Sequence, residues 1–542
     1  MNDTYDYLIV GGGSAGCVLA NRLSANPNVS VCLVEAGPND HHSVIKYPTA
    51  VAAAINHPEL NWRYQSAPQS GLGNRPFAIP RGRVLGGSSS INGMVYFRGH
   101  PGDFDDWGHV ANGWSYRDVL PYFMRSEDNG HYVDSPYHGI GGEMHVAHPP
   151  RPNPLVHSFL DATKALGYRQ CPDFNAADPE GFGLRQATIR NGRRESMATA
   201  FVHPIEHRDN LTVLTGALVD KVVFNDRRAV GIELVINNTR RTLNGRREVV
   251  LTAGAYGTPA ILLRSGIGGA TELQAHGIPI VHDLPSVGRG LRDHSSASIQ
   301  VRSKNPTSYG LSVKATPRNL WNLLEYMLWR GGPIGGNVFE ATGFIRSKPE
   351  VERPDLQLVF MPAHRNANTF PLPLGHGFGI LSIAARPKSA GRVSLATPDP
   401  QASPVIDPDF LGSDGDIEVI RHGLKLARQL LGTPAFDRYK GWEILPGPDV
   451  GTDDEWNDYI RRTAVTVHHP GCTCRMGDDD ESVVDSKLRV RGVEGLRVAD
   501  ASVFPSLVAG NTNAAVVMIA EKASDMILGR IAMAPVDLPH AD

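Results

Sequence analysis

The order of apolar and polar residues at the start of the chain predicts a strand, a turn, a helix and a second strand. Residues 7–10 form a short, continuous apolar run, as in strands that are buried on both faces. Apolar residues then recur with helical spacing over 18–23, and the Asn-Pro-Asn sequence at 26–28 ends that helix. The apolar run 29–34 predicts the second strand.

Two later segments show helical periodicity. Residues 319–332 predict an amphipathic helix that is followed by a glycine loop. Near the C-terminus, apolar residues recur at helical spacing over 516–523, directly after the sequence Asn-Thr-Asn at 511–513. Between 306 and 462 strand-like and helix-like segments mix without nucleotide-binding signals, which favours a separate substrate-binding part.

Length and composition limit the class of protein. With 542 residues the chain is too long for one hydrophobic core, so we expect two or more domains. Its 41% hydrophobic and 20% charged residues are typical of a soluble globular protein. A net charge of −3 without a basic surplus argues against a nucleic-acid-binding protein.

The cysteines and the chain ends predict a cytoplasmic location. Five cysteines are an odd and sparse set for this length, which argues against a disulfide framework and favours a reducing compartment. A strand-like run begins almost at once, so we expect no signal peptide. The most apolar late segment is interrupted by Glu521, Lys522 and Asp525, so we expect no membrane span.

The turn after the first strand carries a dinucleotide-binding fingerprint. Gly11, Gly13 and Gly16 give the pattern GxGxxG, in which the glycines permit a tight turn, a close pyrophosphate and close helix packing. Glu35 ends the second strand, 19 residues after Gly16, where a carboxylate accepts the ribose hydroxyls of an adenosine. A purely structural turn is the alternative, and this unit alone does not distinguish FAD from NAD.

Further segments decide between the two dinucleotides. Residues 82–100 combine a glycine pair, three serines and Asn92, and the segments 254–268 and 495–528 are also rich in glycine and small residues. Together with VGRGLRDH at 287–294 and HHPGCTCRMG at 468–477, they resemble the glucose-methanol-choline oxidoreductase family, flavoproteins that oxidise alcohols. The resemblance extends over nearly the whole chain. It is strongest to the choline-dehydrogenase-like and alcohol-dehydrogenase branch.

The resemblance implies an α/β fold with a Rossmann-like FAD-binding domain and an α+β substrate-binding domain that contains an antiparallel sheet. We expect a discontinuous FAD-binding domain over 1–155, 200–305 and 463–535, and a substrate-binding domain over 156–199 and 306–462. Some relatives bind FAD covalently through a histidine, and this chain has Ile91 at the matching position. The resemblance therefore implies non-covalent FAD.

The resemblance also implies which residues contact FAD. The helix after Thr512 would direct its positive N-terminus towards the flavin, with simple helix capping as the alternative. Gly290 replaces an asparagine that is usual in the VGxNLxDH motif, which leaves the role of that loop open. The implied cofactor residues are Gly11, Gly13, Ser14, Ala15, Gly16, Glu35, Ala36, Val84, Gly87, Ser88, Asn92, Gly93, Val95, Val219, Asp500, Ala501, Asn511 and Thr512.

The paired histidines allow either a metal site or a catalytic base. Adjacent histidines in an extended segment point to opposite sides, which argues against zinc, and we expect Cys472 and Cys474 to be small buried residues. Histidine titrates near neutral pH and can accept the hydroxyl proton of an alcohol. The resemblance selects His469 as this base and Asn511 as its polar partner, while His468 is either a packing residue or a direct participant.

The substrate side is less determined by the sequence. Choline-oxidising relatives hold a quaternary ammonium with a glutamate in this region, so Glu340 beside Phe339 is a candidate, with structural pairing as the alternative. Val467 and His468 are further candidates for substrate contacts. No metal is expected.

The predicted activity is oxidation of a primary alcohol, aliphatic or aromatic, to the aldehyde. Electrons would pass to a quinone-type acceptor or to oxygen. The alternatives are a choline dehydrogenase or oxidase, a flavin-containing hydroxynitrile lyase on the same scaffold, and an NAD-linked dehydrogenase or a non-catalytic nucleotide-binding protein.

Overall fold

Two seven-stranded sheets organise the chain in a computed structural model that describes residues 3–149, 151–363 and 373–540. In the first sheet, the pairs that involve the N-terminal strand are parallel, and a long antiparallel meander forms one edge. Its strand order is Leu211–Leu214, Val31–Val34, Thr4–Val10, Thr239–Leu251, Arg228–Ile236 and Ala217–Asn225, with Leu496–Val498 beside Thr239–Leu251.

The predicted strand, turn, helix and strand at the N-terminus are confirmed. The helix Ser14–Leu23 joins the parallel strands Thr4–Val10 and Val31–Val34, and their residues are buried as the continuous apolar runs indicate. The second strand begins at Val31 rather than at residue 29 because the backbone of Ser30 bonds to the start of the first strand, where its carbonyl accepts from Asp6 and Tyr7.

The second sheet is antiparallel throughout, which confirms the α+β part of the predicted fold. Its strands come from distant parts of the chain. The strand order is Lys440–Leu445, Ser295–Ser303, Gly377–Ala384, Leu356–Met361, Ala341–Ile345 and Gly181–Leu184, with Val465–Thr466 beside Ser295–Ser303.

Helices cover both sheets, and short strand pairs fasten the loops. Among the described residues the α-helices are Ser14–Leu23, Ser43–Lys46, Val51–Ile55, Pro101–Val110, Tyr116–Ser126, Pro154–Ala165, Gly254–Arg264, Ala270–Ala275, Thr316–Trp329, Asp414–Leu431, Asp453–Thr463 and Asn513–Ile527. The minor strands are Tyr64–Gln65 with Ala78–Ile79, Val95–Tyr96 with Gln186–Ala187, Glu127–Asn129 with Met144–Val146, Ile189–Arg190 with Arg193–Arg194, Ile267–Gly268 with His282–Asp283, and Gly391–Ser394 between Arg289–Leu291 and Val405–Asp407.

Each sheet has its own hydrophobic core. The first core packs the helices Ser14–Leu23 and Asn513–Ile527 against the first sheet, and its buried side chains include Leu8, Leu19 and Val517. The second core packs the helix Asp414–Leu431 against the second sheet. This arrangement leaves the space between the two sheets for a ligand.

The predicted domain boundaries differ from sheet membership at two strands. The range 200–305 was assigned to the FAD-binding part, yet its last strand, Ser295–Ser303, is a central strand of the second sheet. The strand Val465–Thr466, in the predicted range 463–535, pairs with it there. The sequence missed both because a strand carries no label for its partner. The division into domains stays a prediction.

The two predicted later helices are present, at Thr316–Trp329 and at Asn513–Ile527. None of the helices in the described ranges combines the length and the apolar character needed to cross a bilayer.

Candidate active site

A cavity of about 380 Å³ lies between the two sheets. The carboxyl ends of three parallel strands reach this cavity, at Val10, at Val34 and at Thr252, which directly follows the strand Thr239–Leu251. Ligands bind at this edge in open sheets of this kind. The second sheet contributes the opposite wall with Ser296, Gln357, Val359, Leu381 and Ile383.

The glycine turn at the first helix presents bare backbone to this cavity. Gly11 has a φ of 110°, and a Cβ there would lie 2.6 Å from the Thr252 carbonyl oxygen, so only glycine fits. A Cβ at Gly13 would have no neighbour closer than 3.9 Å, which leaves room for a ligand. The helix that follows has no side-chain cap, so its first N–H groups are available to an anion.

Glu35 lies at the end of the second parallel strand and lines the cavity. Its two carboxylate oxygens accept hydrogen bonds from the backbone of Gly12 at 2.9 Å and of Gly37 at 2.8 Å. Burial raises the pKa of this carboxyl to about 7. Each oxygen keeps a second lone pair, which a ribose hydroxyl can use.

The loop 82–95 forms a further wall. Gly86 and Gly87 have φ values of 87° and 54°, and the turn that they make folds the loop back on itself. A Cβ at Gly87 would lie 2.7 Å from the Gly13 Cα, so the two glycine-rich turns meet. The cavity-lining residues of this loop are Gly82, Gly87, Ser88, Ser89, Ile91, Asn92, Gly93, Met94 and Val95.

Arg194 holds this loop on the side away from the cavity, and no sequence motif indicated this role. Its guanidinium is buried and donates to the carbonyl oxygens of Ile45, Ser89 and Asn92, and also to Asn92 Oδ1 at 2.9 Å. Burial lowers the pKa of Arg194 to about 9, so the side chain stays charged at neutral pH.

Asp500 ties its own segment to the helix Gly254–Arg264 at the cavity. Its Oδ2 accepts from the Gly254 backbone at 2.8 Å and from Thr258 Oγ1 at 2.6 Å, and its Oδ1 accepts from the Ser502 backbone at 2.8 Å. Burial raises the pKa of Asp500. The start of the helix Gly254–Arg264 is thereby fixed beside the end of the first sheet.

The C-terminal helix also opens at the cavity. Thr512 stands at its N-cap position but makes no side-chain cap bond, so the capping interpretation of the Asn-Thr-Asn sequence is wrong for Thr512. Ser14 Oγ donates to Asn513 Oδ1 at 2.7 Å and joins the starts of the two helices. Two helix N-termini without side-chain caps therefore converge on one cavity.

These features fit FAD. The backbone at Gly13 and the uncapped helices suit a pyrophosphate, and the Glu35 lone pairs suit a ribose. Of the other predicted contacts, the cavity is lined by Ser14, Ala15, Ala36, Val219, Asp500, Ala501, Asn511 and Thr512.

His469 lies at the junction of the two sheets and faces the same cavity. Its Nε2 lies 2.9 Å from Asn511 Nδ2, which brings together the two residues predicted to form the catalytic pair. Its backbone N–H donates to Asp293 Oδ1 at 2.8 Å, and the other Asp293 oxygen accepts from Thr466 Oγ1 at 2.6 Å. Burial raises the pKa of Asp293 to about 6.

Arg185 sets the orientation of the Asn511 amide. Its Nη2 donates to Asn511 Oδ1 at 2.9 Å, so the amide nitrogen must face His469. An amide nitrogen only donates, and His469 Nε2 therefore accepts and carries a lone pair. Burial lowers the pKa of Arg185 to about 9, and no carboxylate contributes to that shift.

His294 completes the arrangement on the far side of the His469 ring. The two Nδ1 atoms are 3.0 Å apart, and the rings meet edge to face at 82°. Since His469 Nε2 is the acceptor, its Nδ1 carries the proton and donates to His294. Burial lowers the pKa of His294 to about 4, so this partner is neutral.

The electrostatics of the site keep His469 unprotonated. Burial lowers its pKa well below the usual value, and His294, His468, Arg81 and Arg185 lower it further. A neutral imidazole that carries no proton on Nε2 is the state that a proton acceptor needs.

His468 has a different environment from His469. Its backbone has a φ of 73°, and its carbonyl accepts from Arg81 Nη2 at 3.0 Å. Burial and then Arg81 lower the pKa of His468 to about 3. It lines the cavity together with Val467 and Phe339, so these predicted substrate residues face the same cavity as His469 and Asn511.

Three predicted residues do not reach the cavity. Gly16 packs the first helix against the turn, where a Cβ would overlap the Gly11 carbonyl oxygen. The side chain of Val84 is fully buried in a small core with Ile91. The carboxylate of Glu340 accepts instead from Tyr309 Oη at 2.8 Å and from the Asn153 backbone at 3.0 Å, which is the structural pairing given as the alternative.

The cysteines and the other acidic or histidine clusters show no metal geometry. Cys472 and Cys474 are free and buried, and burial raises the pKa of both thiols. Across the part of the chain that the structure describes, no three His, Cys, Asp or Glu side chains are grouped so that they could hold a metal ion.

Sequence reasoning missed Arg185, Arg194, Asp293 and His294. A signal existed for the last two, because they are the Asp-His that ends the VGRGLRDH motif. The role of this loop was left open because of Gly290. In the structure the loop brings both residues to His469, and the backbone of Arg292 pairs with that of Gly471.

Comparisons with known proteins identify the family of the chain. The family description GMC oxidoreductase matches residues 5–296 with its N-terminal part and residues 387–520 with its C-terminal part. The alcohol dehydrogenase [acceptor] of Pseudomonas putida is 43% identical over 98% of this chain and 97% of its own length. The oxygen-dependent choline dehydrogenase of Brucella suis biovar 1 is 41% identical over 98% of this chain and 96% of its own length.

A solved structure extends the comparison to the fold. Pyridoxine 4-oxidase from Mesorbium loti superposes with a TM-score of 0.88 at 32% identity, over 97% of this chain and 100% of that chain. The predicted fold class and the FAD cofactor are thereby confirmed. The chain belongs to the GMC oxidoreductase family and is an FAD-dependent alcohol oxidoreductase.

Proposed function

We propose that this chain oxidises a primary alcohol to the aldehyde with His469 as the proton acceptor. The observation that carries the proposal is the 2.9 Å pairing of His469 Nε2 with the Asn511 amide, in the same cavity as the glycine turn and Glu35. A base, an amide donor and the elements that would hold a dinucleotide are thus within one space.

The reaction divides between the cofactor and two side chains. When bound, FAD supplies the acceptor for the hydride that leaves the alcohol carbon. The Nε2 of His469 takes the hydroxyl proton, so the carbonyl forms as the C–H and O–H bonds break. The Asn511 amide has a second N–H, which is free to hold the substrate oxygen while its negative charge grows.

The surroundings of the pair favour a neutral alcohol, aliphatic or aromatic. Val51, Ile55 and Phe339 give the cavity an apolar wall. The guanidiniums of Arg81 and Arg185 lower the pKa of His469, and they would also repel a quaternary ammonium beside it.

Choline remains the second candidate because relatives named choline dehydrogenase are 41% identical to this chain. Glu340, the predicted binder of the ammonium group, does not support it, since its carboxylate is engaged with Tyr309 and Asn153. The lyase and the NAD-linked alternatives are not proposed, because the reported relatives are oxidoreductases of an FAD-dependent family.

The FAD would be non-covalent, because Ile91 offers no nucleophile to the ring. The electrons would pass to a quinone-type acceptor or to oxygen, and the protein would act in the cytoplasm.

The test is a panel of primary alcohols and choline, mixed without oxygen with the purified holoenzyme. We expect neutral primary alcohols to bleach the flavin absorbance and choline to leave it nearly unchanged. Re-oxidation is then followed with oxygen or with a quinone, which distinguishes the two acceptors. Bleaching by choline alone would contradict the proposed substrate class, and no bleaching by any alcohol would contradict the proposed function.

A further inference from the structure

The helix Thr316–Trp329 presents its apolar side to solvent. Leucine, methionine and tryptophan side chains at the spacing i, i+1, i+3, i+4, i+7 and i+8 form one stripe along it, and the accessible fractions reach 56% for Trp321 and 65% for Met327. The stripe consists of Leu320, Trp321, Leu323, Leu324, Met327 and Leu328.

Polar contacts attach the opposite side of this helix to the protein. Tyr326 is buried, and its hydroxyl donates to the Gly192 carbonyl at 3.0 Å. Asn319 Nδ2 donates to the Gly310 carbonyl at 3.1 Å, and Arg318 donates to the carbonyl of Ser308 at 3.1 Å. A surface helix normally turns its apolar side inwards, so this orientation is the reverse of the usual one.

Exposed apolar residues beside the helix enlarge the stripe. Trp329 at its end is 66% exposed, and Val313 before it is 90% exposed. We call the whole set the apolar face, and it consists of the stripe together with Leu311, Val313, Trp329 and Leu374. Large contiguous apolar surfaces of this kind mark interaction sites.

The rim of the apolar face is basic. Lys314 and Arg330 are exposed at the two ends of the helix, and Arg193 is exposed near the Tyr326 ring. The one acid within the helix, Glu325, is bound to Arg151 at 2.6 Å. This local excess of positive charge contrasts with the net charge of −3 of the chain.

The charges distinguish the possible occupants. Two copies of the chain that met through this face would bring basic rims close together, which is unfavourable. An anionic lipid surface offers hydrocarbon to the apolar side chains and negative charge to the rim. Tryptophan, present twice in the face, is also enriched where protein meets the bilayer interface.

We propose that the apolar face docks on anionic phospholipid membranes, with the helix Thr316–Trp329 lying in the plane of the interface. The rim attracts the headgroups, and the stripe enters the boundary of the acyl chains. The docking itself does not depend on the proposed function.

The access of substrate from the membrane, in contrast, depends on the proposed function. The segment Pro333–Gly335, just after the helix, contacts Pro48–Ala50, and the next residues include Val51 and Ile55 of the apolar cavity wall. Docking would bring that wall close to the lipid, where alcohols with long hydrocarbon chains accumulate.

The test is flotation of the holoenzyme with vesicles of phosphatidylcholine alone or mixed with phosphatidylglycerol. We expect flotation with the mixed vesicles and much less with phosphatidylcholine alone. We combine Trp321→Ser, Leu324→Ser and Leu328→Ser. The triple variant should have a vesicle partition coefficient at least about tenfold lower, because three apolar side chains that would be buried in the lipid are lost. The matched control is Trp442→Ser, which changes a tryptophan that is 68% exposed elsewhere and should float like the unchanged protein.

A second pair of variants tests the rim. Lys314→Glu with Arg330→Glu should abolish the preference for phosphatidylglycerol, whereas the control Lys487→Glu with Arg227→Glu, both exposed and distant in sequence, should keep it. Thermal unfolding checks that each variant is folded. The proposal is overturned if the unchanged protein does not float with the vesicles, or if the triple variant floats as well as the unchanged protein. It is also overturned if the three substitutions only convert a dimer to a monomer and do not change vesicle binding.

Vesicle binding requires neither an alcohol nor an electron acceptor. An inactive protein that floats would contradict only the proposed function, and an active protein that does not float would contradict only the docking.

Discussion

At the scale of single residues, the direction of one hydrogen bond decides which nitrogen of His469 can take a proton. Arg185 donates to Asn511 Oδ1, Asn511 Nδ2 then faces His469 Nε2, and the remaining proton of His469 lies on the Nδ1 that faces His294. Four side chains thus fix one tautomer. We infer that Arg185 acts through Asn511 as a positioning residue for the reaction.

Replacing Arg185 tests this inference through pH dependence. His469 acts unprotonated, so the rate falls as the pH drops through its pKa, which burial and then neighbouring groups including Arg185 hold well below the usual value. Arg185→Met removes one positive charge and should raise that pKa, so the fall in kcat/KM should begin at a higher pH. The maximal rate should also drop about 10–100-fold, because a charge-assisted hydrogen bond is lost.

Arg185→Lys is the matched control. It keeps the charge but not the forked geometry, so the acid limb should stay in place while the rate still falls. A methionine variant with an unchanged rate and an unchanged pH profile would show that Arg185 has no part in positioning Asn511.

The residues of the site differ in how far the sequence could predict them. His469 and Asn511 stand in recognisable motifs, and Glu35 follows the glycine turn at a characteristic distance. Arg185 stands in no such motif, because its role depends on a hydrogen bond to Asn511, which is 326 positions away in the sequence. For Glu340 the sequence left substrate binding and structural pairing open, because its burial and its bond to Tyr309 are visible only in three dimensions.

At the level of secondary-structure elements, a buried guanidinium holds the loop 82–95 in a conformation that its glycines make possible. Gly86 and Gly87 allow the backbone of 82–95 to turn, but Arg194 holds it through the carbonyls of Ser89 and Asn92. The same guanidinium donates to the Ile45 carbonyl outside the loop. The loop should therefore lose its shape when that guanidinium is removed, even though no lining residue has changed.

Arg194→Met should weaken FAD binding at least about tenfold, because several buried carbonyls lose a charged donor. The release of FAD, followed by its fluorescence on dilution, measures the effect. Arg193→Met changes the exposed neighbour and should leave FAD bound. Thermal unfolding at saturating FAD separates loss of affinity from loss of folding, and tight FAD binding by a folded Arg194→Met protein would contradict the anchoring role.

The helices show what periodicity can and cannot predict. The apolar spacing over 319–332 correctly predicted a helix. It did not indicate that the stripe faces solvent, because helical periodicity shows that a helix has one apolar side but not where that side points. The orientation follows from Tyr326 and Asn319, whose partners lie in other loops.

At the scale of the whole molecule, the site exists because two sheets meet. The parallel strands of the first sheet bring Glu35 and the glycine turn to one edge, and the second sheet, through Ser295–Ser303 and Val465–Thr466, places His469 opposite. The first two parallel strands of the first sheet and the turn between them were predictable from local runs. The pairing of strands from 181 to 466 in the second was not, since antiparallel order over such separations depends on packing rather than on any local signal.

The proposed reaction depends on His469 as the group that takes the proton of the alcohol. The most direct measurement is the rate of anaerobic flavin bleaching by the best alcohol of the panel, in the unchanged protein and in His469→Ala, each purified with FAD bound and compared at neutral pH. We expect the rate of the variant to be lower by roughly 10²–10⁴-fold, with the FAD content unchanged. A variant that retains its FAD and bleaches at nearly the original rate would contradict the account.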